Sequence, residues 1–215
     1  VHYGNDEMPI TDSEEKSIPR FIKDGIRPGF ILTAGAIRPG RGLEDAIRAL
    51  AAMRNRRGRI DTLVIAGQLI PSMKRYLLAL KRLCADLDIS RQVIWAGHLP
   101  QHELYWCFRH CAAFLLTTRM ETFCNIAVEA LSNGSVIVAT DSSCLPEILS
   151  NAAEYYPPGN FSQLADATTK ACNIDKNERL RRASTARCRA SIFNWNHTAT
   201  NTIDVLKATV RDKRK

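Results

Sequence analysis

No apolar run in the 215 residues approaches the ~20 needed to span a bilayer. The opening residues, Val1 to Asp6, lack the charged-then-apolar order of a secretory signal. The cysteines do not form an even set: there are seven, at 84, 107, 111, 124, 144, 172 and 188, scattered through apolar segments. That usage argues against a disulfide framework and for a reducing compartment. Cys107 and Cys111 stand four apart with His110 beside them, but no second ligand pair follows at zinc spacing, so they read as packing residues. These absences together lead to the expectation of a cytoplasmic protein. Gly-x-Gly-x-x-Gly is missing between Gly35 and Gly42, and no acidic residue follows the second apolar run, which disfavours a dehydrogenase. Aromatic platforms and a recognition-helix pattern are missing too, leaving nucleic-acid binding supported by charge alone.

What is present is the composition of an ordinary globular chain, 45% hydrophobic and 24% charged, long enough for one sizeable domain with appendages. The formal charge of +8 suits an anionic partner. It is concentrated at 54–59, in Lys74 to Arg82 and in the tail 211–215, where solvated helix ends and a frayed terminus are the plainer explanation.

Residues 1 to about 26 are polar and without sustained period, and read as a linker. From Phe30 a rhythm sets in. Short apolar runs at 30–34, 62–66, 93–96, 113–116 and 136–140 alternate with helical patterns at 43–53, 71–87, 101–111, 125–133 and 145–149. A sixth strand is expected at 154–156, with helices filling the rest. Nearly all-apolar strands alternating with helices imply a parallel sheet covered on both faces, hence a doubly wound, Rossmann-like α/β domain. In such sheets ligands sit beyond the carboxyl ends of the strands. That directs attention to the loops at 35–42, 67–71, 97–101, 117–125 and 140–145.

The fourth of these holds the richest chemistry. Glu121 precedes a helix and Glu129 lies within it, in a stretch running from Thr118 to Gly134. Helix N-terminal N–H groups seat a pyrophosphate or a sugar hydroxyl, and a carboxylate inside such a cleft can accept hydrogen bonds from both ribose hydroxyls. Alone, two glutamates eight apart are weak evidence. Their context is more telling: Asn133-Gly134, the strand to Asp141, and Leu145-Pro146-Glu147 follow in order.

This Glu-x7-Glu stretch closely resembles the signature of family 4 retaining glycosyltransferases of the GT-B fold. Residues 35–42 look like that family's Gly-Arg-Leu-x-x-x-Lys-Gly loop, 63–67 its second strand, 93–100 its base loop, and Phe193-Asn194-Trp195 its Phe-Ser-Trp element. The resemblance covers about residues 28 to 210. It implies the donor-binding half of an enzyme that moves a sugar from a UDP- or GDP-linked donor to a glycan or lipid-linked acceptor, with no cofactor and no metal. By resemblance, Glu129 would bind the ribose and Glu121 would touch the donor sugar and act in catalysis. Arg41 would clamp the pyrophosphate beside Gly35. Phe123, Cys124 and Asn125 would offer backbone N–H groups, and His98 and Leu99 would read the base. The last helix, from residue 195, would pack on an N-terminal acceptor domain that this chain does not include. A fragment of this kind would bind donor without transferring it.

Two departures from the family pattern stand out. Ala36 replaces an arginine, and Arg38 is either its substitute or an exposed loop charge. Glu121-Thr122-Phe123-Cys124 replaces Glu-Gly-Phe-Gly. Cys124 is thus a packing residue, one that narrows the sugar site, or a low-pKa thiol at a helix N-terminus. A nucleotide-sugar epimerase of the same architecture and a non-catalytic binding module are the competing readings. The Lys74–Arg82 helix is a candidate for peripheral membrane contact.

Overall fold

The computed structural model describes Gly4, residues 18–57 and residues 61–212. The remainder of the expected linker and the end of the basic tail lie outside the described residues. Strands β1 (Ile31–Ala34), β2 (Leu63–Ala66), β3 (Val93–Gly97), β4 (Ala113–Leu116), β5 (Ile137–Thr140) and β6 (Ala153–Tyr156) form one sheet in the order β3-β2-β1-β4-β5-β6. Every pairing is parallel. This is the doubly wound fold expected from the rhythm, with the strand order reversing between β1 and β4.

The helices are α1 (Arg20–Lys23), α2 (Leu43–Arg57), α3 (Lys74–Asp86), α4 (Gln101–His110), α5 (Asn125–Ser132), α6 (Leu145–Leu149), α7 (Phe161–Cys172), α8 (Lys176–Ala190) and α9 (Trp195–Asp212). Successive residues of a strand point to opposite faces, so the apolar strands feed two cores. Leu32, Val64, Phe114 and Ile137 join Trp106, Ala127, Leu131 and Ala186 under α4, α5 and α8. Ile31, Leu63, Ile65, Leu115 and Val138 join Ile47, Leu50, Leu80 and Leu164 under α2, α3 and α7. Burial on both faces is why the strands lack polar alternation.

Two local differences from the expected elements have physical reasons. The helix expected from Pro71 begins as a 3-10 turn, Pro71–Met73, because proline fits a first turn but cannot donate to one already formed. Residues 20–23, read as linker, form α1, whose buried Phe21 meets Phe30 edge-on at 5.6 Å. Four residues are too few to reveal a period.

α9 behaves unlike the others. Residues 199–210 are all exposed, and Trp195, Ile203, Leu206 and Val210 leave apolar surface in solvent. Gly4 lies against Trp195: a Cβ there would come within 2.6 Å of the Trp195 Cα. The described N-terminal residue and the start of α9 therefore meet.

Candidate functional site

The carboxyl ends of β1, β2 and β4 bring the expected loops together. The β1–α2 loop turns through a 3-10 segment, Pro39–Arg41, and ends at Gly42 in the left-handed conformation (φ 60°). A side chain there would strike the Thr117 carbonyl oxygen at 2.3 Å, so glycine permits both the turn and the contact. The β4–α5 loop then holds the first loop in place. Thr117 Oγ1 donates to the Arg41 carbonyl at 2.6 Å, Thr118 Oγ1 to the Gly40 carbonyl at 3.1 Å, and the Arg119 N–H to the same Gly40 carbonyl at 2.9 Å. Thr140 Oγ1 in turn donates to the Thr118 carbonyl at 2.7 Å. These buried threonines, which sequence reasoning missed, fix where the arginines point. Their signal was present: Thr117, Thr118 and Thr140 are polar residues ending otherwise apolar strands.

Both arginines point at Glu121. Arg41 Nη1 is 2.9 Å and Arg38 Nη2 3.1 Å from the same oxygen, Oε1. Arg41 and Glu121 are 17% and 14% exposed, and Arg38 is 40% exposed. Arg38 is accordingly no stray loop charge; it stands over the carboxylate beside Arg41, in the neighbourhood of Ala36. The Arg41 guanidinium lies against Gly35 (φ 127°), where a Cβ would come within 2.8 Å of Cζ. Arg41 Nε and Nη1 are buried without an acceptor of hydrogen-bond geometry. Ser143 holds the Glu121 backbone, accepting from its N–H at 3.0 Å and donating to its carbonyl.

A cleft of about 520 Å³ opens beside this triad, walled by Arg41, Glu121, Phe123, Cys124, Asn125 and Glu129 among others. Asn125 and Ile126 head α5 with N–H groups that have no intrahelical acceptor. Glu129, the fifth residue of α5, is half-buried, and burial raises its carboxyl above the usual range. No described side chain pairs with that carboxyl. A second recess of about 250 Å³, lined by Gly35, Gly67, His98 and Leu99, adjoins the first, with Ile126 bordering both. Nine of the ten site residues expected from the sequence line these two adjoining recesses, and Arg38 reaches them through Glu121. Phe193 backs it: buried at 2% exposure, its ring meets Phe123 edge-on at 5.7 Å.

Of the readings open for Cys124, burial favours packing. It is not a low-pKa thiol; burial pushes its pKa up to about 11, outweighing the nearby Arg41. It is buried and takes a left-handed backbone (φ 66°, ψ 65°) where most side chains are disfavoured. Cys107 and Cys111 are buried with raised pKa values, as packing residues should be.

The cleft lined by Arg41, Glu121, Glu129 and the first residues of α5 lies at the switch point of a doubly wound α/β domain, where such folds place their ligands. A family model described as "Glycosyl transferases group 1" matches residues 17–187. The chain belongs to this family. It is 31% identical over 191 residues to a glycogen synthase of Mycobacterium tuberculosis, an alignment covering 87% of this chain and 44% of that relative. The chain thus spans less than half of the relative's length. Its fold is shared by the C-terminal domain of a glycosyl transferase group 1 family protein from Francisella tularensis (TM-score 0.67, 20% identity, 89% of this chain and 95% of that one). It is shared too by an Anabaena protein solved in complex with UDP (TM-score 0.76, 20% identity, 96% and 56%).

Proposed function

We propose that the chain is the donor-binding half of a retaining glycosyltransferase that takes a sugar from a nucleoside diphosphate donor, UDP- or GDP-linked. The observation that carries this reading is Glu129, a half-buried carboxyl with no cation among the described residues, in a cleft that Arg41 also lines, with Arg38 joined to it through Glu121. A ribose diol supplies the donors that Glu129 lacks, and a diphosphate supplies the acceptors that Arg41 lacks. The UDP bound to the Anabaena neighbour fits the same ligand chemistry. The recess at His98 and Leu99 would take the base, and Glu121 the sugar. The leaving diphosphate would be stabilised by Arg41, Arg38 and the α5 N-terminus, which are in place before the charge develops. Without an acceptor-binding half, this chain alone would bind donor and transfer nothing. The exposed apolar side of α9, which starts where Gly4 lies, would be covered by that half.

The test is titration of UDP- and GDP-sugars into wild-type protein and the Glu129→Ala variant. Binding by the wild type is expected, weakened at least about tenfold by the substitution with the fold retained. Absence of binding at millimolar ligand sinks the reading, and unchanged affinity in the variant removes Glu129 from the site.

Among the described residues no helix is long and apolar enough to cross a membrane. For the cytoplasmic, peripheral placement we look to α3, which exposes Lys74, Arg75, Lys81 and Arg82 around a 66%-exposed Leu78. Such a face suits an anionic bilayer surface. Cosedimentation with anionic vesicles that falls with added salt, and falls further in Lys81→Glu/Arg82→Glu, is the expected result; salt-independent or absent binding rejects it.

A further inference from the structure

We propose that Glu121 is an internal counter-ion, holding the two site arginines while the cleft is empty and yielding them to the diphosphate when the donor arrives. The proposal rests on the reading of the cleft as a nucleotide-sugar site and gives that site a loading step.

Three observations carry it. Arg38 and Arg41 come from one loop, Glu121 from another, and both cations converge on the single oxygen Oε1, at 3.1 and 2.9 Å. One carboxylate oxygen cannot align with every donor of two guanidinium groups. Accordingly, Nε and Nη1 of Arg41 are buried without an acceptor of hydrogen-bond geometry, although Nη1 is within ion-pair distance. Glu121 therefore neutralises Arg41 without satisfying it. A diphosphate brings more charge and several oxygens, and can satisfy both forks in a bidentate manner. The exchange is electrostatic, with no bond made or broken.

Only a side chain has to move. Ser143 holds the Glu121 backbone through both its N–H and its carbonyl, and the threonine clamps hold the arginine loop through Gly40 and Arg41. Thr118 Oγ1, 3.4 Å from Oε1, marks the near edge of the carboxylate's position. Released from the arginines, the carboxylate stays at the cleft wall, where a sugar hydroxyl can donate to it. The positive charge of the empty site is thereby lowered by one unit, and Glu121 becomes free for the sugar only when the phosphates are seated.

The consequence runs against the usual expectation for a site residue: removing the carboxylate charge should tighten diphosphate binding. Inorganic pyrophosphate and UDP are titrated by calorimetry into wild type, Glu121→Gln, Glu121→Ala and Glu129→Ala, each first checked by thermal melting. Both Glu121 variants should bind both probes about tenfold more tightly, the order expected on removing one unit charge beside a bound anion in a partly hydrated cleft. Glu129→Ala should lose UDP affinity and keep that for pyrophosphate. Equal or weaker binding of pyrophosphate by the Glu121 variants, or none by any protein at millimolar probe, overturns the counter-ion. If that happens while Glu129→Ala still weakens UDP, the donor-site reading survives. Tighter pyrophosphate with no UDP binding at all keeps the counter-ion and overturns the donor site.

Discussion

Glu129 is held in a position that favours its neutral form, since burial raises its pKa and no described cation offsets that. A raised carboxyl contributes stability that is present below its unfolded pKa and lost as pH rises through the folded value. Glu129→Gln should therefore melt above wild type at neutral pH, with the two converging as pH falls through the ordinary carboxylate range of about 4. Ribose binding has the opposite requirement, because the carboxylate is the better acceptor. As pH falls toward the ordinary carboxylate range, UDP affinity of the wild type should drop more steeply than that of Glu129→Gln, whose only pH dependence is the ligand's own. Parallel slopes in calorimetry would remove Glu129 from the nucleotide. Cys124 offers a second residue-scale test. A non-glycine residue in the left-handed region costs on the order of 1 kcal/mol. Cys124→Gly and Cys124→Ala lose the same thiol, so the glycine variant should be more stable by about that amount in urea unfolding. An alanine variant as stable as glycine would mean that the backbone relaxes.

At the scale of elements, the site is a junction of loops, and its precision depends on the clamp between β1–α2 and β4–α5. Gly42 combines a left-handed backbone with a carbonyl 2.3 Å from where a Cβ would sit. Gly42→Ala should cost roughly 3 kcal/mol, from the strain and the displaced strand end together, read as a lowered denaturation midpoint. Thr118→Val should be milder for the fold, about 1 kcal/mol for a lost buried hydrogen bond, but should weaken nucleotide binding several-fold by freeing the arginine loop. Equal losses in stability and affinity would reduce Thr118 to a structural role. The strands were legible from the sequence almost to the residue, because burial on both faces writes them as short apolar runs. α1 was not legible, since four residues carry no period, and neither was the clamp, since its partners are more than 70 residues apart.

Among the described residues, the molecule is an open parallel sheet covered by helices on both faces, with α9 largely outside that packing. Residues 199–210 of α9 are exposed throughout, so deleting 199–215 should shift the melting temperature by no more than about 2 °C, on the small area the helix buries. A larger drop would show that the helix packs on the domain after all. The Phe193 to Trp195 element divides at this boundary: Phe193 is buried behind Phe123, while Trp195 is half-exposed beside Gly4.

Residue order alone determined the class of fold, the six strands and the crevice in which a ligand would sit, because periodicity and strand–loop–helix succession are local in the chain. It also marked Glu121, Glu129, Arg41 and Arg38 as candidates. Only the tertiary structure decided how these are disposed. Arg38 faces the site, Glu121 is shared by two cations, no described side chain pairs with the Glu129 carboxyl, and Cys124 is a buried thiol on a left-handed backbone. The physical reason is that charge pairing and desolvation depend on distances between loops far apart in sequence, and no local pattern encodes them.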